Sequence, residues 1–267
     1  MNLFKKYILV LFSIVLLLSC SEYEKVLKAD YSPKKYDMAM KMYKKHKFLK
    51  AIPLFEEVIS LESKFSAKGE ESYYYLCYSH YNIQSYNLAG YYFNNFAVTY
   101  PQSTHAEEAV FMSANCKVNT SPKYSLDQGN TTGAIQELQS FLKKYPNSTR
   151  KDTCVAIIDQ LQGKLENKAY ENAMLYYKME DYHAASTSLS NILKDYPDIE
   201  YREKILYYVV KSNYNLANNS VKSKKTERFE ETIKSYTKFV DNFPQSKKIS
   251  ELEIIYKSAQ RKLILIK

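Results

Sequence analysis

Four segments of the chain align without a gap, and each closes on a proline. They are YNLAGYYFNNFAVTYPQS from Tyr86, TTGAIQELQSFLKKYPNS from Thr131, YHAASTSLSNILKDYPDI from Tyr182 and FEETIKSYTKFVDNFPQS from Phe229. A small residue stands twelve positions before the proline: Ala89, Ala134, Ala185 and Thr232 before Pro101, Pro146, Pro197 and Pro244. Large apolar or aromatic residues stand eight before it (Phe93, Leu138, Leu189, Tyr236) and five before it (Phe96, Phe141, Ile192, Phe239). An aromatic abuts it each time, at Tyr100, Tyr145, Tyr196 and Phe243. A fifth segment, FLKAIPLFEEVISLES from Phe48, keeps Ala51, Phe55 and Val58 but has Ser63 in place of the proline. Spacings of 3, 4 and 7 are helical. The small residue admits a close neighbouring helix, and the proline forbids continuation. One such unit cannot bury its own apolar face, so five copies predict a stacked array.

A second helix precedes each segment, in KKYDMAMKMYKKH, GEESYYYLCYSHYN, HAEEAVFMSANCK, NKAYENAMLYYKM and YREKILYYVVKSNYNL. Helix, turn, helix and proline resembles the tetratricopeptide (TPR) repeat. Tyr81, Tyr86, Ala89, Phe93 and Pro101 match its consensus, as do Tyr177, Tyr182, Ala185, Leu189 and Pro197. The fold class expected is all-α, a TPR solenoid of about five helix-turn-helix repeats with a C-terminal capping helix in KISELEIIYKSAQRKLILIK. Anchor steps of 38, 45, 51 and 47 residues depart from a 34-residue period. The third repeat holds an insertion, residues 118–130. The fourth opens with a proline-free stretch, residues 150–179, which as one helix runs about 45 Å. That stretch divides the array into repeats 1–3 (residues 33–149) and repeats 4–5 with the cap (residues 150–267).

The first nineteen residues read as an export signal. Lys5 and Lys6 precede a twelve-residue apolar run, Tyr7 to Leu18, too short for the roughly 20 residues of a membrane span. Ser19 and Cys20 end it in a way that resembles the bacterial lipobox, where the cysteine is acylated and becomes the new N-terminus. A plain secretory peptide with a coincidental cysteine is the alternative. Residues 20–32 are then an acylated tether. Removing nineteen residues from 267 leaves 248, with a formal charge near +7 once Lys5 and Lys6 are lost from +9. The locally basic stretch is KSKKTER (Lys222 to Arg228), expected as a solvated helix junction, and nucleic-acid binding is not supported. With Cys20 set aside, Cys77, Cys116 and Cys154 are an odd number, so at least one stays free or pairs with another chain. Their spacing suits buried apolar packing rather than a metal site.

No nucleophile elbow, phosphate loop, metalloprotease or dinucleotide motif occurs, and His46, His80, His105 and His183 are isolated. The chain is expected to be no enzyme and to need no cofactor or metal. In TPR arrays the first helices line the concave face. The repeat frame puts Tyr36, Met40, Tyr43 and Lys44 there, then Tyr74, Tyr78, Tyr81 and Asn82, then Phe111 and Asn115. Tyrosines among amides and lysines suit an extended or C-terminal peptide. Alternatively, tyrosine merely stands in for other aromatics in a chain with twenty-seven of them.

SCSEYEKVLK at the lipobox, SPKYSLDQ in the insertion and LAGYYFNNFAVTYPQS followed by AEEAVFM resemble the BamD family of outer-membrane assembly lipoproteins. The likeness runs from the signal peptide to the last helix. It implies a lipid-anchored, periplasm-facing outer-membrane subunit of the β-barrel assembly machine. Its N-terminal repeats would receive the C-terminal strand of unfolded outer-membrane proteins, and its C-terminal repeats would dock on the POTRA domains of BamA. A TPR lipoprotein scaffold of another envelope complex, for nutrient uptake or cell division, stays open. SusD-like proteins are longer and usually tryptophan-rich at the sugar site, and this chain has no tryptophan.

Overall fold

The computed structural model describes residues 22–29, 33–63 and 66–266; the signal sequence and Cys20 lie outside them. The described residues form twelve helices and no strand. A short helix α1 (residues 22–27) is followed by α2 (Lys34–Lys44), α3 (Phe48–Leu61), α4 (Ala67–Asn82), α5 (Tyr86–Thr99), α6 (Ala106–Thr120) and α7 (Gly129–Lys144). Then come α8 (Lys151–Lys178), α9 (Tyr182–Asp195), α10 (Arg202–Asn218), α11 (Lys222–Asn242) and α12 (Ile249–Ile266). Helices consecutive in sequence pack on one another from α2 to α7 and again from α9 to α12, in a TPR-like manner.

The repeat frame coincides with burial. Ala51, Ala89, Ala134, Ala185 and Thr232 are all fully buried, and so are Phe55, Phe93, Leu138 and Leu189. Tyr236 is only partly buried and stacks on Tyr256, with ring centroids 4.5 Å apart. The helix ends follow from the proline. Tyr100, Tyr145, Tyr196 and Phe243 each cap a helix at φ between −123° and −137° and ψ between 63° and 77°. The residue before proline is pushed out of the α region, which is where the helix must stop. Each cap still donates its N–H to the carbonyl four residues back. Three of the cap rings also tilt against that residue, as in Phe96–Tyr100 at 5.1 Å.

Turns between paired helices repeat too. His46, Gln84 and Glu180 have φ of 55°, 61° and 63°, left-handed conformations that usually call for glycine. Each sits in a Schellman-type closure, with the next N–H bonded five residues back: Lys47 to Met42, Ser85 to His80 and Asp181 to Tyr176. An aromatic pair clamps each turn edge to face: Tyr43–Phe48, Tyr81–Tyr86 and Tyr177–Tyr182. Gly90 marks a close crossing of α5 and α6. A Cβ there would lie 3.1 Å from the Cys116 Cβ, and Ser113 Oγ already donates to the Gly90 carbonyl at 3.2 Å.

The described residues form two compact units. One runs to Pro122 and resumes over Gln128–Val155; the other holds Lys123–Asp127 and everything from Ala156. The long helix expected over residues 150–179 is present as α8, 28 residues or about 42 Å. The core of the first unit gathers Tyr23 and Val26 of α1 with Met38, Ala39, Met42, Leu54, Phe55 and Leu76. The second packs Tyr170, Ala173 and Met174 of α8 against Leu189, Ile192, Ile205, Leu206 and Phe239. Two boundaries move. The insertion shrinks to residues 121–128, because α6 continues to Thr120 and α7 begins at Gly129. KSKKTER is not a junction but the first two turns of α11, since no proline or glycine interrupts a stretch whose lysines stay in water.

Candidate functional site

One face of α2 meets α4 in the first unit around an open groove of about 620 Å³. Asp37, Met40, Lys41 and Lys44 line it at helical spacing, with Tyr36, Lys45, Glu71 and Tyr75. The opposite face of α2 carries Met38, Ala39 and Met42 into the core, so the helix has no choice about which side it shows. Burial, and then a hydrogen bond to Glu71, push the Tyr36 hydroxyl far above the usual tyrosine range. It is a neutral donor at any physiological pH. The groove combines two aromatic walls and a thioether with three lysines and two carboxylates, Asp37 and Glu71.

The other residues expected in a groove are placed differently. Tyr43 is a wall support, half-buried between Phe48, Phe55 and Tyr75. Tyr74 and Tyr78 donate to the two oxygens of Glu108 on α6, at 2.8 and 2.9 Å, and Arg150 Nη2 donates to Glu108 at 3.1 Å. Tyr81 accepts from Asn115 at 3.1 Å, and Asn82 donates back to the Tyr78 carbonyl at 2.7 Å. Phe111 is a correction: at 7% exposure it belongs to the core, edge-on to Phe141 and beneath the Arg150 guanidinium. The first-helix tyrosines of α4 therefore tie that helix to the next repeat, their hydroxyls already engaged.

Burial alone would raise the Glu108 pKa, but the two tyrosine hydroxyls and then Arg150 and His105 hold it below 4.5. The folded value is depressed, so this stabilisation is complete above pH 4.5 and is lost as pH falls through the folded value. A hydrogen bond to a charged group contributes about 1.5–3 kcal/mol, and the half-open position of Glu108 favours the low end. Tyr74→Phe with Tyr78→Phe therefore costs about 3 kcal/mol in urea unfolding at neutral pH. The difference from the unsubstituted chain narrows when the titration is repeated a unit or more below pH 4.5. A difference unchanged by pH would mean Glu108 is not the charged partner.

A clamp recurs at the helix ends, with a sequence signature of its own. Three of the four proline-marked helix ends are followed by a related stretch, PQSTH, PNSTR or PQSKK, the fourth reading PDIEY. Ser148 and Ser246 donate to Glu107 and Glu203, while the backbone N–H of Arg150 and Lys248 donates to the same serine oxygens at 3.1 Å. Arg150 and Lys248 then pair with Glu108 and Glu203. In the first copy His105 instead stacks on Tyr74 at 4.1 Å. The second unit has its own tyrosine ties between α10 and α12: Tyr207 donates to Glu251 at 2.7 Å, Lys211 to Glu251 at 3.0 Å, and Tyr214 pairs with Ser258 at 2.8 Å.

Cys77, Cys116 and Cys154 are buried and free. Burial pushes all three thiols up, Cys116 to about 12, so none offers a thiolate at neutral pH. His80 is buried against Tyr92 with no partner on either nitrogen, and burial lowers its pKa. Among the described residues no three metal-ligating side chains come together.

These features define a helical-repeat protein that presents a groove and ties its repeats through tyrosines. The chain belongs to the outer membrane lipoprotein family YfiO, whose model matches residues 28–229. It is also similar to a protein of Aquifex aeolicus (strain VF5) provisionally named outer membrane protein assembly factor BamD. The two are 26% identical over 247 residues, covering 91% of this chain and 80% of that protein. No helix among the described residues is long and apolar enough to cross a membrane.

Proposed function

We propose that the chain is a lipid-anchored subunit of an outer-membrane β-barrel assembly machine, without catalytic activity of its own. Its α2–α4 groove takes extended C-terminal segments of unfolded outer-membrane proteins. Its second unit docks on the POTRA domains of a BamA-like partner from the periplasmic side. The family match and the named relative support the assembly role. The observation that carries the substrate reading is the groove itself, where Tyr36 and Tyr75 stand beside Lys44 and beside Lys41, whose Nζ pairs with Glu22 at 3.0 Å. Aromatic faces offer area at low entropic cost, and lysines complement a chain-terminal carboxylate.

Synthetic C-terminal peptides of β-barrel proteins should bind the full chain weakly, with a micromolar Kd, because an extended strand must be ordered as it docks. Met40→Glu with Lys44→Glu should weaken that binding at least tenfold, and Tyr207→Ala on α10 should leave it unchanged. Peptide affinity that is insensitive to the α2 pair and abolished by the α10 change would move the substrate site to the second unit. A pull-down from detergent-solubilised envelopes should recover a barrel protein with POTRA domains. Recovery of a nutrient transporter or division proteins instead would favour a scaffold of another envelope complex.

A further inference from the structure

The most basic stretch of the chain is not KSKKTER but the turn between α2 and α3. It reads KKHKFLK, Lys44 to Lys50, and no acidic residue occurs between Asp37 and Glu56. Lys44, Lys45, Lys47 and Lys50 are all exposed, and none has a carboxylate partner among the described residues. At their centre Leu49 stands 74% exposed at the start of α3, an apolar side chain ringed by cations. The left-handed His46 fixes the turn, so the lysines project from a closed corner and not a loose loop.

The segment that follows the lipobox cysteine is packed onto this same corner. Tyr23 of α1 is buried, its hydroxyl donates to the Lys50 carbonyl at 3.2 Å, and the Lys50 Nζ lies 5.0 Å from its ring centroid. Tyr23 follows Cys20 by three positions, a reach of at most about 11 Å. Surface charges act over about 8 Å at physiological salt, so a basic corner tethered this near a bilayer lies within a few such lengths of it.

We propose that the α2–α3 turn is a membrane-docking tip that binds an anionic phospholipid surface, with Lys45 and Lys47 pairing to lipid phosphates and Leu49 entering the headgroup boundary. The proposal rests on the lipid-anchor reading for its proximity to the bilayer. A polybasic patch beside a lipid anchor adds electrostatic attraction to anionic lipids, whatever the acyl chains contribute to retention. Here the patch would also orient the first repeat relative to the membrane.

The test uses the unacylated chain from Ser21 onward, which keeps every described residue, in flotation with vesicles. It should bind phosphatidylethanolamine–phosphatidylglycerol vesicles, release with rising salt, and ignore phosphatidylcholine vesicles. A lysine near an anionic surface contributes about 1 kcal/mol, or about fivefold. Lys45→Gln with Lys47→Gln should therefore weaken binding about 25-fold, and Leu49→Ser should weaken it further without altering the salt dependence. The charge-matched control, Lys222→Gln with Lys225→Gln on α11, should bind as the parent does. No preference for anionic vesicles, or equal loss in the control, would overturn the proposal. Neither result bears on the anchor itself, which is read separately from the mass of the Cys20 peptide.

Discussion

Replacing Phe239 by alanine lowers the stability of the second unit by about 3–5 kcal/mol, and Phe93→Ala does the same in the first. Both rings are fully buried. Phe239 sits in the cluster of Leu189, Ile192, Ile205 and Leu206 and tilts against the cap ring of Phe243 at 5.9 Å. Phe93 meets Tyr78 edge to face at 5.1 Å, so its loss also loosens a tyrosine that holds Glu108. Neither site can collapse easily, because the fully buried Thr232 and Ala89 on the same helices keep the backbones close. A domain has only about 5–15 kcal/mol in total, so either change removes a large share of it. Val98→Ala on the exposed side of α5 is the comparison, and should shift stability by less than about 0.5 kcal/mol. The measurement is urea unfolding followed by circular dichroism. Losses below about 1 kcal/mol at both phenylalanines would mean that the proline-anchored frame does not mark the core.

That frame was readable because period and burial coincide in it. Ala89, Phe93, Phe96 and Tyr100 recur at fixed distances from a proline, and each distance has one physical reason. The first helices were harder. Between α4 and α6 the register is 34 residues, linking Tyr74 to Glu108 and Tyr81 to Asn115. On that register Phe111 falls opposite Cys77, a fully buried position, and not on the groove. Counting 34 from each tyrosine would have excluded Phe111 and found Glu108. Hydroxyl engagement could not be read at all without the register, since each partner lies one repeat away. Nothing in the sequence separates Glu71 from its neighbour Glu70, yet it is Glu71 that lines the groove. In KKHKFLK the charge is broken by Phe48 and Leu49, and exposure of Leu49 is a property of the folded turn.

Cys20 should carry the acyl chains that hold the protein on the outer membrane, and its replacement should move the protein from the membrane to the soluble fraction. The residue lies outside the described part of the chain, and its acyl chemistry decides the outcome. Each buried methylene contributes about 0.8 kcal/mol, and one saturated chain gives only marginal, reversible binding. Two chains on the thiol and one on the new amino group together make release negligible. No described helix offers a substitute span, and the α2–α3 tip supplies a salt-sensitive contact many orders weaker. Mass spectrometry of the N-terminal peptide from purified envelopes should therefore show cleavage before Cys20 and the added mass of the acyl chains. The same chain starting at Ser21, exported behind an ordinary cleavable signal, should fold with unchanged thermal unfolding and be recovered unbound at high salt. An unmodified peptide beginning elsewhere would refute lipidation. Membrane retention of the Ser21 chain at high salt would show that something other than the acyl group provides the anchor.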